Sequence, residues 1–275
     1  MCEWTRTTVC FLLGLAMFIS GCVSEAVYHP THTIRSTPAD IKLNYEDITL
    51  ETEDSVMLSA WWVPAADPEG TVLFCHGNAG NMGDRLDTLQ IINTLGLNVL
   101  IFDYRGYGRS EGSPSEKGTY LDAEAAWNYL VGEKKIAPGR IIVWGRSLGG
   151  AIAARTAAHH RVGLVVVEST FTSLKDLADD LFIWVPSWLL RNYAYETAHY
   201  LDSLDVPVLV IHSRDDEIIP FNHGKRLYDS INGPKAFTEI QGSHNRGFLD
   251  SISLYVASIT DFIDHYVPGE GAMQE

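Results

Sequence analysis

Apolar runs rich in β-branched residues recur along this chain and alternate with stretches of helical character. Eight of these runs are long enough to be strands, and the later ones are almost continuously apolar. A strand buried on both sides has no polar face, so such runs are typical of a mostly parallel sheet with helices on both faces. The sequence therefore predicts an α/β fold built on an eight-stranded sheet.

The predicted elements can be placed by residue number. The candidate strands cover residues 46–50, 56–63, 71–75, 98–102, 140–144, 163–167, 207–212 and 236–241. The candidate helices include residues 84–95, 116–131, 148–159, 222–231 and 246–266. The first two strands flank an acidic turn at 51–54 and mix polar with apolar residues, which predicts an antiparallel hairpin at a sheet edge.

The composition favours one globular domain without a nucleic-acid partner. Of the 275 residues, 46% are hydrophobic, which is enough apolar material for the core of a single α/β domain. The formal net charge is −15. Because a protein that binds a polyanion needs clustered Lys and Arg to displace counterions, we expect no nucleic-acid partner.

The N-terminus carries a separate signal. Residues 9–19 are apolar and uncharged, too short to span a membrane and typical in length of a signal-peptide core. They lead to Ile19-Ser20-Gly21-Cys22, which resembles a bacterial lipobox. The resemblance implies a signal peptide at 1–21 and acylation of Cys22, for example by palmitate, as a membrane anchor. A weakly charged start, with Arg6 opposed by Glu3, leaves a plain signal peptide or a short membrane anchor as the alternative.

The next residues predict a tether. Pro30 and Pro38 lie among polar residues, so we assign 22–40 to a linker, 41–268 to the domain and 269–275 to a tail. Val23 after the cysteine resembles a signal for transfer to the outer membrane, so the expected location is the bacterial envelope, outer rather than inner membrane in a Gram-negative cell. Cys75 would be the remaining thiol, which excludes a disulfide and suits a core position.

An aromatic stretch at 175–205 interrupts the alternation of strands and helices. It contains Phe182, Trp184, Trp188, Tyr193, Tyr195 and Tyr200. It follows the sixth strand, at the edge of the sheet where ligands bind in open α/β folds. Two interpretations stay open: a small helical cap over an acyl pocket, or aromatic rings that only pack the insertion onto the body.

A serine lies where the fifth strand meets the following helix. Residues 145–149 read Gly-Arg-Ser-Leu-Gly, with an apolar run before them and small residues after. A serine on a sharp turn between strand and helix is held in strained geometry with its hydroxyl raised above the sheet. Ser147 is therefore the candidate nucleophile.

A serine hydroxyl needs an imidazole to take its proton and an acid to orient that imidazole. Three adjacent carboxylates, Asp215, Asp216 and Glu217, follow the seventh strand and compete for the role of acid. His244 follows the eighth strand, where the chain order Ser, acid, His expects the base. His212 ends a strand and is interpreted as support for the acidic loop.

Several motifs together resemble those of the α/β-hydrolases, in particular the BEM46-like and ABHD17-like serine hydrolases, across nearly all of residues 41–266. They are His76-Gly77-Asn78-Ala79-Gly80-Asn81, the segment Asp103 to Gly112, Gly145-Arg146-Ser147-Leu148-Gly149-Gly150, Asp215-Asp216-Glu217 before Ile219-Pro220, and Gly242-Ser243-His244-Asn245. The family pattern selects Asp216 as the acid, ahead of Asp215 and then Glu217. The segment from Asp103 is interpreted as a structural network of Asp103, Arg105 and Arg109.

Attack on a carbonyl creates an oxyanion, which backbone N–H groups stabilise. The expected donors are the N–H of Leu148, directly after the nucleophile, and that of Asn78, to which the family resemblance points. We expect no cofactor and no metal, because no nucleotide-binding glycine motif and no cluster of metal ligands are visible.

These residues predict a serine hydrolase that cleaves a carboxylic ester or thioester through an acyl-enzyme, with a small or lipid-like acyl substrate as its partner. The nearest alternative is a serine peptidase of the aminopeptidase type, with Glu168 or the acidic loop holding the substrate amine. A non-catalytic envelope lipoprotein is a third interpretation, although a binding module has no need of a strained serine turn.

Overall fold

The computed structural model describes residues 27–181 and 193–266. Within them, eight strands form one sheet in the order β1-β2-β4-β3-β5-β6-β7-β8. The strands are β1 (Glu46–Glu51), β2 (Met57–Val63), β3 (Gly70–Cys75), β4 (Leu97–Phe102), β5 (Ile141–Arg146), β6 (Leu164–Glu168), β7 (Val208–Ser213) and β8 (Lys235–Ile240). β2 pairs antiparallel with β1 and β4, and all other neighbours are parallel. The predicted fold class and its edge hairpin are confirmed.

Helices connect the parallel strands and follow the last of them. They are α1 (Leu86–Thr94), α2 (Glu116–Gly132), α3 (Leu148–His159), α4 (Leu174–Asp180), α5 (Thr197–Asp202), α6 (Asn222–Ser230), α7 (Gly247–Asp250) and α8 (Ile252–Tyr266). The helix predicted at 246–266 is divided at Ser251, because the Ser251 hydroxyl binds both the N–H and the carbonyl of Gln241. Across the described residues, no helix has the length and apolar character needed to cross a membrane.

The sheet separates two apolar layers, which explains why its strands read as continuous apolar runs. On β3, Val72 and Phe74 join one buried cluster while Leu73 and Cys75 join the other. Successive side chains of a strand point to opposite faces, so a strand covered on both faces needs apolar residues at every position. Buried residues of α1 and α8 lie in the first cluster, and those of α2, α3, α5 and α6 lie in the second.

The N-terminal boundary differs from the prediction. Residues 27–40, assigned to a tether, pack on the domain: Tyr28 and Pro38 are buried, and Pro30 forms a β-bridge with Gly80. Their backbone groups pair with the loop after β3, a partner that the local sequence does not reveal. The packed domain therefore begins before residue 41. Cys22, the predicted signal peptide and the tail at 269–275 lie outside the described residues.

The predicted insertion contains α4 and α5. Phe182, Trp184 and Trp188 lie outside the described residues. Tyr193 and Tyr195 are buried, and the ring of Tyr195 packs edge-on against Tyr120 of α2. For these two tyrosines the structure supports packing onto the body.

Candidate active site

The turn between β5 and α3 holds Ser147 in an unusual backbone conformation. Its φ of 54° and ψ of −124° lie in a region that side chains other than glycine rarely enter. The Ser147 N–H donates to the Glu168 carbonyl at 2.9 Å, and the Thr170 hydroxyl donates to the Ser147 carbonyl at 2.7 Å. The neighbouring strand β6 and the residues after it therefore hold the strained turn in place.

Two glycines allow this turn to lie close to its surroundings. A Cβ at Gly149 would overlap the backbone carbonyl of Cys75, and a Cβ at Gly145 would overlap that of Gly149. Helix α3 can therefore start directly against the end of β3 only with glycine at these positions. The glycines in the Gly-Arg-Ser-Leu-Gly pattern serve this close approach.

The carboxyl ends of β5, β7 and β8 bring together the three side chains that the sequence analysis singled out. His244 Nε2 lies 3.2 Å from Ser147 Oγ, and His244 Nδ1 lies 2.8 Å from Asp216 Oδ2. Because an ionised carboxylate only accepts hydrogen bonds, Nδ1 carries the proton and Nε2 is left to accept from the serine hydroxyl. This is the relay geometry that activates a serine nucleophile.

Asp216 is held as a carboxylate. Burial alone would raise the pKa of Asp216, but the hydrogen bond and charge of His244, together with the N–H groups of Ile219 and Ile218, outweigh this effect. Its second oxygen, Oδ1, accepts from the N–H groups of Ile218 and Ile219 at 3.0 and 2.8 Å. The pKa of Asp216 consequently lies below its ordinary value, which suits an acid that stays charged beside an imidazole.

The two neighbouring carboxylates bind the backbone of the histidine loop instead of the imidazole. Asp215 Oδ2 accepts from the Gly242 N–H at 3.1 Å, and Glu217 Oε2 accepts from the His244 N–H at 2.9 Å. Beneath the loop, the His212 Nε2–H donates to the Ile219 carbonyl at 2.9 Å. In the sequence Asp215 and Glu217 are competitors for one role, whereas in the structure each fixes the loop bearing His244.

The loop after β3 lies beside the nucleophile. A Cβ built on Gly77 would lie 3.5 Å from Ser147 Cβ. The Gly77 carbonyl accepts from His76 Nδ1 at 2.7 Å and from Arg85 Nη2 at 3.4 Å. A trans peptide unit is planar with its carbonyl and N–H pointing in opposite directions, and the described residues contain no cis peptide bond. The Asn78 N–H therefore points away from His76 and Arg85.

The second predicted donor is at the start of α3. Leu148 is the first residue of that helix, and the first N–H groups of an α-helix have no acceptor within the helix. Together with the helix dipole, this N–H favours negative charge next to Ser147. The two backbone donors named from the sequence are thus both carried by segments adjacent to the serine.

A buried ion pair supports the turn from below. Arg146 Nε donates to Glu168 Oε1 at 2.9 Å, and the guanidinium stacks 3.8 Å from the centre of the Phe248 ring. The Tyr255 hydroxyl donates to the other oxygen of Glu168 at 2.7 Å. Arg146 has no role predicted from the sequence, although a charged residue at an otherwise apolar strand end is a usable signal.

The segment that begins at Asp103 is structural, but its network differs from the predicted one. Arg105 pairs with Asp54 and Asp122, whereas Asp103 Oδ1 accepts from the Met82 N–H at 2.7 Å. Arg109 is exposed. Asp103 and Arg105 therefore belong to different networks. No group of three or more potential metal ligands occurs in the described ranges.

Comparison with known proteins agrees with this architecture. A family profile for the alpha/beta hydrolase fold matches residues 70–198. The chain is 36% identical to the alpha/beta hydrolase domain-containing protein WAV2 of Arabidopsis thaliana, covering 84% of this chain and 82% of that protein. It is also 37% identical to the bem46 protein of Schizosaccharomyces pombe, covering 67% and 64% respectively.

The chain belongs to the α/β-hydrolase family. Its similarity to bem46 and WAV2 places this hydrolase in the BEM46-like group. The fold of the hydrolase is shared with an esterase of Pyrococcus furiosus, with a TM-score of 0.73, 22% identity, and coverage of 88% of this chain and 98% of the esterase.

Proposed function

We propose that this hydrolase cleaves a carboxylic ester or thioester with an apolar acyl group through an acyl-enzyme on Ser147. The observation that carries the proposal is the continuous relay from Ser147 Oγ through His244 to Asp216, with contacts of 3.2 and 2.8 Å. The fold shared with the Pyrococcus furiosus esterase supports the same class of reaction.

In the first half of the reaction, Ser147 Oγ attacks the acyl carbon while His244 Nε2 takes the hydroxyl proton. The oxyanion that forms is stabilised by the N–H groups of Asn78 and Leu148. The tetrahedral intermediate then breaks its bond to the leaving group, and His244 returns the proton to the departing alcohol or thiol.

In the second half, water attacks the acyl-enzyme and His244 removes a proton from it. The acid is released as the bond to Ser147 Oγ breaks, and the proton returns to the serine. Asp216 stays charged throughout and stabilises the imidazolium that forms twice in the cycle.

The aminopeptidase alternative has less support. A peptidase of that type needs a free acidic group for the ammonium of its substrate, and Glu168 is buried in its pair with Arg146. The test compares p-nitrophenyl acyl esters of increasing chain length with aminoacyl anilides. We expect turnover of the esters, while turnover restricted to the anilides would overturn the proposal.

We propose further that acylation of Cys22 anchors the hydrolase in the bacterial envelope, in the outer membrane of a Gram-negative cell. Val27 lies five positions after Cys22, a separation that spans at most about 18 Å of extended chain. Metabolic labelling with an alkyne palmitate should mark the wild-type protein and not Cys22→Ser. Equal labelling of the two proteins would overturn this assignment.

A further inference from the structure

Residues 27–33, which we call the strap, bind the loop that carries the proposed oxyanion donor. The Thr31 N–H donates to the Gly80 carbonyl at 3.0 Å, and the Gly80 N–H donates to the His29 carbonyl at 3.1 Å. Asn81 Nδ2 donates to the carbonyls of Thr31 and Thr33 at 3.1 and 3.0 Å. The strap thus pairs with the loop as an added strand would, outside the eight-stranded sheet.

The Asn78 side chain binds both the strap and Tyr107. Its Nδ2 donates to the Val27 carbonyl at 2.6 Å. Its Oδ1 accepts from the His29 N–H at 3.2 Å and from the Tyr107 hydroxyl at 2.8 Å. The residue whose N–H is proposed to face the oxyanion is therefore fixed through its side chain, between the strap on one side and Tyr107 on the other.

The strap is itself fixed to the body of the protein. Tyr28 is buried, and its hydroxyl lies 2.7 Å from that of Tyr195, which lies 3.0 Å from Thr119 Oγ1. Burial raises the pKa of Tyr28, so the phenol stays neutral and can donate. The buried Tyr28 hydroxyl thus connects the strap to Tyr195 of the insertion and, through it, to Thr119 of α2. These contacts fix the position of the strap relative to the body of the protein.

We propose that the strap is a positioning element of the active site, which sets the direction of the Asn78 N–H through the Asn78 side chain and the Gly80 backbone. The loop contains Gly77 and Gly80, the latter with a φ of 85°, and glycines leave a backbone free to reorient. An oxyanion hole works because its donors are fixed before the charge develops. This inference rests on the proposed function, in which that N–H stabilises the oxyanion.

The test removes a single N–H group of the strap. His29→Pro deletes the donor to Asn78 Oδ1, and His29→Ala keeps it and is the matched control. His29 is exposed, and its imidazole is no part of the proposed machinery. Three readouts apply: kcat and KM for a p-nitrophenyl ester, affinity for an alkyl trifluoromethyl ketone, and amide hydrogen exchange in a peptide covering residues 76–82.

For His29→Pro we expect kcat about tenfold lower with KM within twofold, a partial loss compared with complete removal of an oxyanion donor. Affinity for an alkyl trifluoromethyl ketone, which forms a tetrahedral adduct with the serine, should fall in proportion. Exchange at 76–82 should accelerate about tenfold, in line with a lost local contact. His29→Ala should match the wild type in all three measurements.

Equal exchange at 76–82 in His29→Pro and His29→Ala would overturn the inference, even if no ester is turned over. A wild type that cleaves no ester would instead contradict the proposed function alone. If His29→Pro fails to fold, Asn78→Asp replaces it, because Asp keeps the Oδ1 acceptor but cannot donate to the Val27 carbonyl. Asn78→Asp with wild-type exchange and kcat would likewise overturn the role of the strap.

Discussion

At the scale of single residues, three consecutive carboxylates after β7 have three different partners. Asp216 binds the His244 imidazole, Asp215 binds the Gly242 N–H, and Glu217 binds the His244 N–H. A charged oxygen beside Nδ1 stabilises the imidazolium, whereas the backbone contacts only hold the loop. The three carboxylates are neighbours in the sequence, and the geometry of the loop shows that they have different roles.

Asp216→Asn should lower kcat by about 10³- to 10⁴-fold, because the amide stabilises no imidazolium and favours the wrong tautomer of His244. Asp215→Asn and Glu217→Gln keep a carbonyl acceptor for their N–H partners and should lose less than about tenfold, the size of one weakened neutral hydrogen bond. Steady-state kinetics on p-nitrophenyl butyrate compare the three variants. A loss in Asp215→Asn as large as that in Asp216→Asn would mean that the acid is wrongly assigned.

At the scale of secondary-structure elements, β5, β6 and α8 meet at the Arg146–Glu168 pair. The pair is buried, and Tyr255 of α8 donates to Glu168 at 2.7 Å. Breaking a buried pair leaves a charge without compensation, which is more costly than never having buried the pair. Ser147 directly follows β5, and the Glu168 carbonyl that binds its N–H lies at the end of β6. The ion pair therefore stabilises the base of the candidate active site.

Tyr255→Phe should lower the free energy of unfolding by about 1–3 kcal/mol, since a buried charged acceptor loses its donor. Arg146→Met should cost about 3–5 kcal/mol, because Glu168 is then left buried and unpaired. Urea denaturation followed by tryptophan fluorescence measures both. If Arg146→Met were as stable as the wild type, the pair would make no contribution to the turn.

A second contact between elements joins α4 to α6. His223 is buried, its Nε2 lies 3.3 Å from Asp180 Oδ2, and Arg226 binds the same carboxylate at 2.7 Å. Burial, followed by the charge of Arg226, lowers the pKa of His223 to about 4. Folding therefore favours the neutral imidazole, and this contribution is complete above pH 6.5 and is lost as the pH falls towards 4.

His223→Gln should remove a pH-dependent contribution of at most about 3 kcal/mol between pH 6.5 and 4. Asp122 gives the opposite pH dependence. Burial raises the pKa of Asp122 to about 6, so its contribution to the free energy of unfolding is lost as the pH rises. The measurement is therefore the difference between wild type and His223→Gln in urea denaturation across this range. A difference that does not change with pH would contradict a buried neutral His223.

At the scale of the whole molecule, the sheet and the positions of the candidate relay could be predicted because both depend on local patterns, whereas the choice of Asp216 over its two neighbours needed the family pattern. Strands buried on both faces must be apolar throughout, and Ser147, Asp216 and His244 each follow a strand at the same sheet edge. The strap could not be predicted, because its hydrogen bonds are made by backbone groups to a loop about 50 residues away. The segment that contains Pro30 and Pro38 has the composition of a linker, and only the structure shows that it packs on the domain.

The supporting ion pairs could not be predicted either, because their partners are distant in the sequence. Arg105 binds Asp54 and Asp122, which lie 51 and 17 residues away, so the motif around Asp103 indicated a network without its partners. The helix predicted at 246–266 is interrupted because Ser251 binds the end of β8. Short-range periodicity carries no information on such contacts between distant segments.

The proposed mechanism depends on Ser147 being an activated nucleophile. Treatment of the purified protein with a fluorophosphonate probe should label the wild type rapidly and leave Ser147→Ala unlabelled. His244→Ala should be labelled at least about 100-fold more slowly, because the serine then lacks its base. A folded wild-type protein that resists the probe, or a Ser147→Ala variant that is still labelled, would show that Ser147 is not the activated nucleophile.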